Sequence, residues 1–578
     1  MKRIRLWMSY LLLLIIPLLV VIYQQHIEKN IYCSDPDYAY ILNGLNINMH
    51  KLPLYCDHPG VPLTIFSAAG IRLTYWLHEK SADIQTDVLL HPAYYEIRLQ
   101  LMLFFLIVAV TLFSGYGIYK KSKNLNLAIA SQSAPFLFST SLTISSVSFM
   151  PDAMLIIILQ LFILLIIQYG VKKINNEDTT KELWLFPILS GLALSVKLIV
   201  LPILLLPILF IGFNIKKLVK FFSITALSFI IFTLPVIKQY PYMFNWFLSL
   251  FTHSGIYGGG STTIINPDTY YKNIIFIISN NNLMTVFMIL SLVWLIYFYY
   301  LKRTGRNHYN TFVFKLFFYS IITQIVSILI VSKSFDGKSY YLIVTYALTA
   351  LTFIIACVLI SMQFRFRNHL IQLIFLSSLM VFCILVNLKN YKVDFLGQSM
   401  TKIECDELQK FLENNSEYNI VTNASYSLNK NYALLFGLAF SRVHENRLMQ
   451  LYPKAYFYNV IPEKFTNWYK EVPINSMFKN NKMLLVDRYL SDQEEANFIK
   501  NGYAVKLLFS NRIKAVYELA NYKFETGNYE VLIKDKIKKI YSDKKWLNAI
   551  REKSLQKGIS LDSMVYLDAK WMIDTYGK

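Results

Sequence analysis

Apolar residues run along this chain in blocks long enough to cross a lipid bilayer, separated by short clusters of charge. The first block, 6–23, follows Lys2-Arg3-Ile4-Arg5, and no small-residue cleavage site comes after it. That pattern predicts an uncleaved signal anchor rather than a removable signal peptide. Further blocks cover about 97–119, 125–143, 153–170, 183–196, 198–213, 221–239, 274–300, 311–332, 340–360 and 370–387. Together they predict about eleven transmembrane helices, each closing its own backbone hydrogen bonds as lipid demands. After about 388 the apolar runs shorten and charge rises. There, 420–423 and 483–487 read as short strands, and 402–414 and 491–500 as helices. The last forty-odd residues read as two short helices, on the spacing of Trp546, Ile550, Leu555, Met564, Leu567 and Trp571. The expected fold is an α-helical polytopic membrane protein over 1–387, with an outer loop 24–95, and a small extracytoplasmic α/β domain with a helical tail over 388–578.

Composition narrows the class. Of 578 residues 55% are hydrophobic and 16% charged, against about 25% charged in soluble domains, so an ordinary soluble enzyme is excluded. Forty-one Tyr and 41 Phe suit wide membrane interfaces. The net charge of +21 raises nucleic acid as a partner, but its distribution removes it. With the amino terminus cytoplasmic, the inner loops carry Lys120-Lys121-Ser122-Lys123, Lys172-Lys173, Lys216-Lys217, Lys302-Arg303 with Arg306, and Arg365 with Arg367. Every one is basic, as the positive-inside rule requires. An odd number of spans then puts the carboxy-terminal region outside. Five Cys without a C-x-x-C pair make neither a disulfide scaffold nor a zinc ribbon. There is no internal repeat of the kind many transporters show.

The chemistry concentrates in the first outer loop. Cys33-Ser34-Asp35-Pro36-Asp37-Tyr38 is followed by Cys56-Asp57-His58-Pro59-Gly60-Val61-Pro62-Leu63. Two amphipathic pieces, 38–49 and 61–78, suit helices lying along the interface. Three carboxylates and a histidine thus stand at the membrane surface, where partial desolvation raises a carboxylate towards a useful general base. Asp35 before Pro36 equally has the form of a helix cap. Asp35, Asp37 and Asp57 offer the oxygen ligands a divalent cation prefers, although no metal triad is evident from His58, His253 and His444. A Cys33–Cys56 disulfide would draw Asp35 and Asp57 towards one site, and two free thiols in apolar packing are the alternative.

Basic groups at the outer ends of spans complete the set. Lys197 interrupts an apolar run, which marks either a functional group or a snorkelling ammonium. Lys333 and Lys338 bracket a short outer loop, and Arg72 and His253 lie in outer segments. Asp152 opens a span, as a cap or as a partner for one of these lysines. A further loop, about 240–273, holds His253-Ser254-Gly255-Ile256-Tyr257-Gly258-Gly259-Gly260, which reads as a lid or a plain connector and not as a phosphate loop.

In their order along the chain these motifs resemble the GT-C glycosyltransferases, of the protein O-mannosyltransferase and aminoarabinose-transferase type. The resemblance covers Asp35-Pro36-Asp37, the Asp57-His58-Pro59-Gly60-Val61-Pro62-Leu63 stretch, Pro151-Asp152-Ala153-Met154, Gly191-Leu192-Ala193 through Lys197, and Lys338-Ser339-Tyr340-Tyr341-Leu342. It departs where the family's usual Asp-Glu pair is replaced by Asp35-Pro36-Asp37. Asn431-Tyr432-Ala433-Leu434-Leu435-Phe436-Gly437 is similar to segments that follow the membrane part of bacterial members.

The resemblance implies transfer of a sugar from a polyprenyl-phosphate-linked donor to a glycan, lipid or protein acceptor on the outer face of a bacterial inner membrane. Asp35 would be the base and Asp37 the close second. Asp57 and His58 would shape the acceptor site, with Asp152, Lys197, His253, Tyr257, Lys333, Lys338 and Tyr340 on the substrates. A divalent cation is the one cofactor it leaves open. The rivals are a transporter or flippase of lipid-linked saccharides, and a polymerase. A flippase calls for polar residues scattered through the spans, and a polymerase for arginine-rich outer loops.

Overall fold

The computed structural model describes residues 34–77, 83–138, 145, 148–364, 369–424, 429–459, 464–479, 482–487, 489–512, 514–521 and 529–576. The expected anchor at 6–23 lies outside them. The described chain is mostly helical and divides into two units: Met1–Asp406 with Tyr426–Pro453, and Glu407–Ser425 with Lys454–Lys578.

Among the described residues of the first unit, six helices are long and apolar enough to cross a membrane: Pro92–Ser122, Pro151–Ile174, Ile215–Thr252, Asn282–Arg303, Thr311–Ser332 and Ser339–Gln363. Local chemistry sets their ends. Pro92 and Pro151 occupy first helical turns, where the missing N–H costs nothing. Lys120, Lys121, Lys172 and Lys173 fall in last turns, where cations favour the carbonyl end of the helix dipole. Pro151–Ile174 is the central member, with 83% of its apolar window buried, while Asn282–Arg303 buries 28% and turns most of its surface outward.

The other expected spans take different forms. Thr180–Val196 is 17 residues long and stops at Lys197, which is extended at φ −161°. A 3₁₀ turn, Leu198–Leu204, and a short helix, Leu205–Ile211, continue from there. The apolar run over 274–300 is two helices, Pro267–Asn280 and Asn282–Arg303, divided at Asn281. The Asn281 amide donates to the Ile277 carbonyl at 2.7 Å, the kind of local competition that ends helices. Residues 370–387 form part of one 46-residue helix, His369–Asn414, which runs through the expected domain boundary.

The described part of the expected outer loop is largely helical, as its amphipathic pieces predict. A π-turn, Ser34–Tyr38, leads into Ala39–Asn48, and Val61–Leu77 packs against that helix. The segment after the first strand returns to this unit: helix Lys430–Ser441 lies on Ala39–Asn48 and on the π-turn. Gly437 permits the approach, because a Cβ there would stand 2.6 Å from the Tyr38 carbonyl oxygen.

The second unit is a seven-stranded sheet, with β1 (Asn419–Asn423), β2 (Tyr456–Asn459), β3 (Lys464–Asn467), β4 (Lys470–Glu471), β5 (Lys482–Asp487), β6 (Tyr503–Ser510) and β7 (Ala515–Asn521) in the order β4-β3-β2-β1-β5-β7-β6. β1 runs parallel to β2 and β5, and the remaining pairs are antiparallel. Alternation in β5 sends Met483 and Leu485 to one face with Phe498, and Leu484 and Val486 to the other with Leu408 and Phe411. Helix Asp492–Lys500 opens with a capping box between Ser491 and Glu494. Helices Lys544–Lys557 and Leu561–Tyr576 form the tail that spacing predicts, and a third, Tyr529–Ser542, precedes them. Their core holds Ile540, Ile550 and Met564, whereas Leu555 and Trp571 point outward, 77% and 56% exposed.

Candidate functional site

In the first unit a cavity of about 160 Å³ opens between the first outer loop, the start of the Leu198–Leu204 turn, the end of Tyr240–Thr252 and the loop after Thr311–Ser332. Its lining includes His58, Lys197, Trp246, Tyr257, Lys333 and Tyr341, with leucine, isoleucine and phenylalanine side chains over the rest. Four residues expected to bind substrate, His58, Lys197, Tyr257 and Lys333, therefore line one cavity.

Lys197 is the centre of the polar part. Its side chain is buried, and its ammonium stands 2.9 Å from Asp152 Oδ2 and 3.0 Å from Oδ1. Asp152 lies in the first turn of Pro151–Ile174, so the carboxylate also faces that helix's positive end. Two aromatic rings cover the cation, Tyr341 at 4.7 Å and Tyr340 at 5.1 Å from their centroids. The alternative of a snorkelling ammonium does not describe a lysine enclosed in this way. Lys338 is different: half exposed, it pairs with Asp336 at 3.3 Å and lies over the outer part of Tyr340, 5.8 Å from the centroid.

The motif that begins at Asp57 is registered directly against Lys197. Gly60 N–H donates to the carbonyl of Val196 at 3.1 Å, one residue before the lysine. Gly60 has φ +64°, and a Cβ there would meet the Tyr40 hydroxyl at 2.3 Å, so only glycine closes this loop onto the buried Tyr40. His58 then projects between rings, with Trp246 at 5.4 Å and Tyr257 at 6.3 Å. Burial, followed by the charge on Lys197, pushes its imidazole down to about 3, so His58 is neutral at physiological pH. Burial raises the Asp57 carboxyl above its usual range, against the opposing influence of the nearby Tyr242 hydroxyl.

The glycine-rich loop crosses the same space. Tyr257 sits at φ +55° between Gly255 and Gly258, and its hydroxyl meets that of Tyr341 at 2.8 Å. Lys333 donates to the carbonyls of Leu250 and Phe251 (2.8 Å for the second), at the end of Tyr240–Thr252. It thereby caps a helix terminus as well as lining the cavity.

Other expected residues stand elsewhere. His253 shares a hydrogen bond with Thr252 at 3.0 Å and is not in the cavity lining. Arg72 donates to the side-chain oxygen of Asn48 at 3.0 Å and to its carbonyl at 3.1 Å, clamping two outer-loop helices together. Asp37 is fully buried, and the Gln100 amide donates to its Oδ2 at 3.4 Å. Asp35 lies in the π-turn, but its side chain is outside the described residues, as is all of Cys33. Cys56 is a buried free thiol, pushed up to about 12 by burial and by the charge on Asp57. Among the described residues no three His, Cys, Asp or Glu side chains gather as a metal centre. The Asp35, Asp37 and Asp57 set involves a side chain that is not described.

Tyr341, Trp246, Tyr40 and Tyr242 join the site without having been singled out individually from the sequence. Nothing separates them there from the other aromatics of a chain with 41 Tyr. Tyr341 lies next to Tyr340 and Tyr40 lies shortly after Asp37, within stretches that stand out in the sequence, whereas Trp246 and Tyr242 carry no such signal. No family model, curated protein or solved structure matches this chain.

Proposed function

We propose that this chain is a multi-pass glycosyltransferase of the GT-C type, moving a sugar from a polyprenyl-phosphate-linked donor to an acceptor hydroxyl on the outer face of a bacterial inner membrane. About eleven spans, a cytoplasmic amino terminus and an extracytoplasmic carboxy-terminal unit belong to this reading. The observation that carries it is the buried Lys197–Asp152 pair, which stands under Tyr340 and Tyr341 on the wall of a largely apolar cavity. A lipid phosphate needs a cation at the membrane surface with apolar surface leading away from it, and this wall offers both.

In the proposed reaction the acceptor oxygen attacks the anomeric carbon. Its proton passes to an outer-loop carboxylate, Asp35 or Asp37, and the bond from the sugar to the phosphate oxygen breaks. The electron pair leaves with the polyprenyl phosphate, whose charge Lys197 offsets. Neutral His58 is suited to hydrogen bonding with sugar or phosphate oxygens, and Trp246 and Tyr257 to the apolar face of a sugar ring.

The test is transfer of labelled sugar from a panel of polyprenyl-phosphate donors into extractable glycan by purified protein. Asp35→Asn, Asp37→Asn and Lys197→Met run beside the wild type. Loss of transfer in Lys197→Met and in at least one Asn variant, with normal expression, supports the reading. Full activity in both Asn variants removes the assigned base. No transfer from any donor, with lipid scrambling in vesicles, favours the flippase.

A further inference from the structure

We infer that Asn43 is a positioning residue of this site: it holds the backbone of Leu54 and Tyr55, and through them sets His58 in the cavity. The inference rests on the transferase reading only for what the cavity binds.

Helix Ala39–Asn48 carries Asn43, Asn46 and Asn48, a poor composition for a helix, since short amide side chains compete for its backbone. All three are buried, and their partners account for their presence. Asn46 donates to the Ser441 carbonyl at 3.1 Å and Asn48 to the Ala68 carbonyl at 2.8 Å, each joining one helix to another. Asn43 does more. Fully enclosed, it fills every hydrogen-bonding position of its amide. Its nitrogen donates to the Ala39 carbonyl at 2.7 Å and to the Phe440 carbonyl at 3.4 Å. Its oxygen accepts from the Leu54 N–H at 2.7 Å and from the Tyr55 N–H at 3.2 Å. Two carbonyls on one side and two N–H groups on the other suit an amide, not a carboxylate or an apolar group of the same size.

Those N–H groups belong to residues 51–60, a stretch without helix or strand that holds the motif beginning at Asp57. Backbone donors in such a stretch need partners beyond it when they are buried. Lys51 N–H finds the Asn46 carbonyl at 2.8 Å, and Gly60 N–H finds that of Val196 at 3.1 Å. Between these ends the Asn43 oxygen holds the chain at Leu54 and Tyr55. The Tyr55 ring packs against Tyr40 at 5.1 Å and Phe440 at 4.6 Å, and Cys56 is buried with Val236 and Met243. His58 follows, lining the cavity with Lys197 and packed on Trp246. The short span from Tyr55 to Gly60 is thus anchored at both ends, and those anchors set the reach of His58. Asn43 is not in the cavity lining, so it acts through His58 and not by touching a substrate.

The test uses full-length protein in detergent micelles. Asn43→Leu has a similar size without the hydrogen bonds, and Asn43→Asp keeps the acceptor. Pulse labelling of Cys56 by N-ethylmaleimide and of His58 by diethylpyrocarbonate, read by peptide mass spectrometry, reports the loop. Cys383, buried in helix His369–Asn414, reports the rest of the fold. Asn43→Leu should label at least about tenfold faster at Cys56 and His58, the size of two lost buried hydrogen bonds, with Cys383 unchanged. Asn43→Asp should fall between it and wild type, and carries the comparison if the Leu variant does not fold. Undecaprenyl phosphate binding gives a second readout, as a cycle with His58→Ala. Asn43→Leu should weaken binding, and the double variant should bind no worse than His58→Ala alone. Unchanged labelling in the Asn43 variants, an equal rise at Cys383, or a cycle in which Asn43→Leu loses nothing or adds to His58→Ala overturns the inference. A wild type that binds no undecaprenyl phosphate counts against the transferase reading alone, and labelling then decides the role of Asn43.

Discussion

Lys197 and Asp152 face each other at 2.9 Å, both buried, across the start of two different helical segments. Each charge is tolerable there because of the other. Removing one partner strands an ion, at a cost of about 3–5 kcal/mol. We expect Lys197→Met and Asp152→Asn each to lower the thermal midpoint of the purified protein sharply. The double variant should recover much of that stability and still fail in transfer and in binding of undecaprenyl phosphate. A double variant with wild-type transfer would take Lys197 out of the site.

Gly60 links the outer loop to that pair through its hydrogen bond to Val196. Gly60→Ala sets a Cβ against Tyr40 and forces a non-glycine residue to φ +64°. The strain is worth about 1–3 kcal/mol, and relieving it would move His58 away from Lys197. Reduced stability together with a loss of transfer is the expected outcome. Unchanged thermal unfolding and transfer would show that the loop has another way to close.

His444 supplies a pH dependence with a defined sign. Burial depresses its imidazole from 6.5 to about 4, so the unfolded chain binds a proton that the folded chain refuses between those values. Stability is therefore fully present above about 6.5 and falls as pH drops from there to about 4. His58, depressed to about 3, contributes in the same direction. Thermal midpoints from pH 7.5 to 4.5 should fall less steeply in His444→Gln than in the wild type. Parallel slopes would mean that His444 titrates normally in the folded protein.

Tyr257 and Tyr341 share a hydrogen bond at the surface, worth about 0.5–1.5 kcal/mol. Tyr341→Phe should leave global unfolding nearly unchanged and speed limited proteolysis within 254–261, because this bond holds the glycine-rich loop across the cavity. Equal cleavage rates in variant and wild type would indicate that ring contacts with His58 hold the loop unaided.

Much of this protein was legible along the chain. Periodicity located the helices of the outer loop, the strands β1 and β5, helix Asp492–Lys500 and the two last helices of the tail. Short motifs single out His58, Lys197 and Asp152, and the glycine-rich loop and the charges at the ends of spans single out Tyr257 and Lys333, residues the fold brings close together. The strands β2, β3, β4, β6 and β7 were missed, since short runs such as Lys464–Asn467 carry too little alternation to stand out. Asn281 divided one apolar run into two helices through a local hydrogen bond that a hydropathy pattern cannot register.

The sequence by itself determined the membrane character, because burial in lipid is a sum over residues and needs no knowledge of partners. It also determined which few ionisable groups stand out from an apolar background. Tertiary structure alone decided which of them meet. Lys197 pairs with Asp152, Lys333 is tied to helix carbonyls, and Arg72 clamps Asn48. His444 meets Gln85 and the Leu42 carbonyl only because the segment after β1 folds back over Ala39–Asn48. Charge type and hydropathy are local properties of a residue. An ion pair depends on distance, and distance between remote residues exists only once the helices have packed.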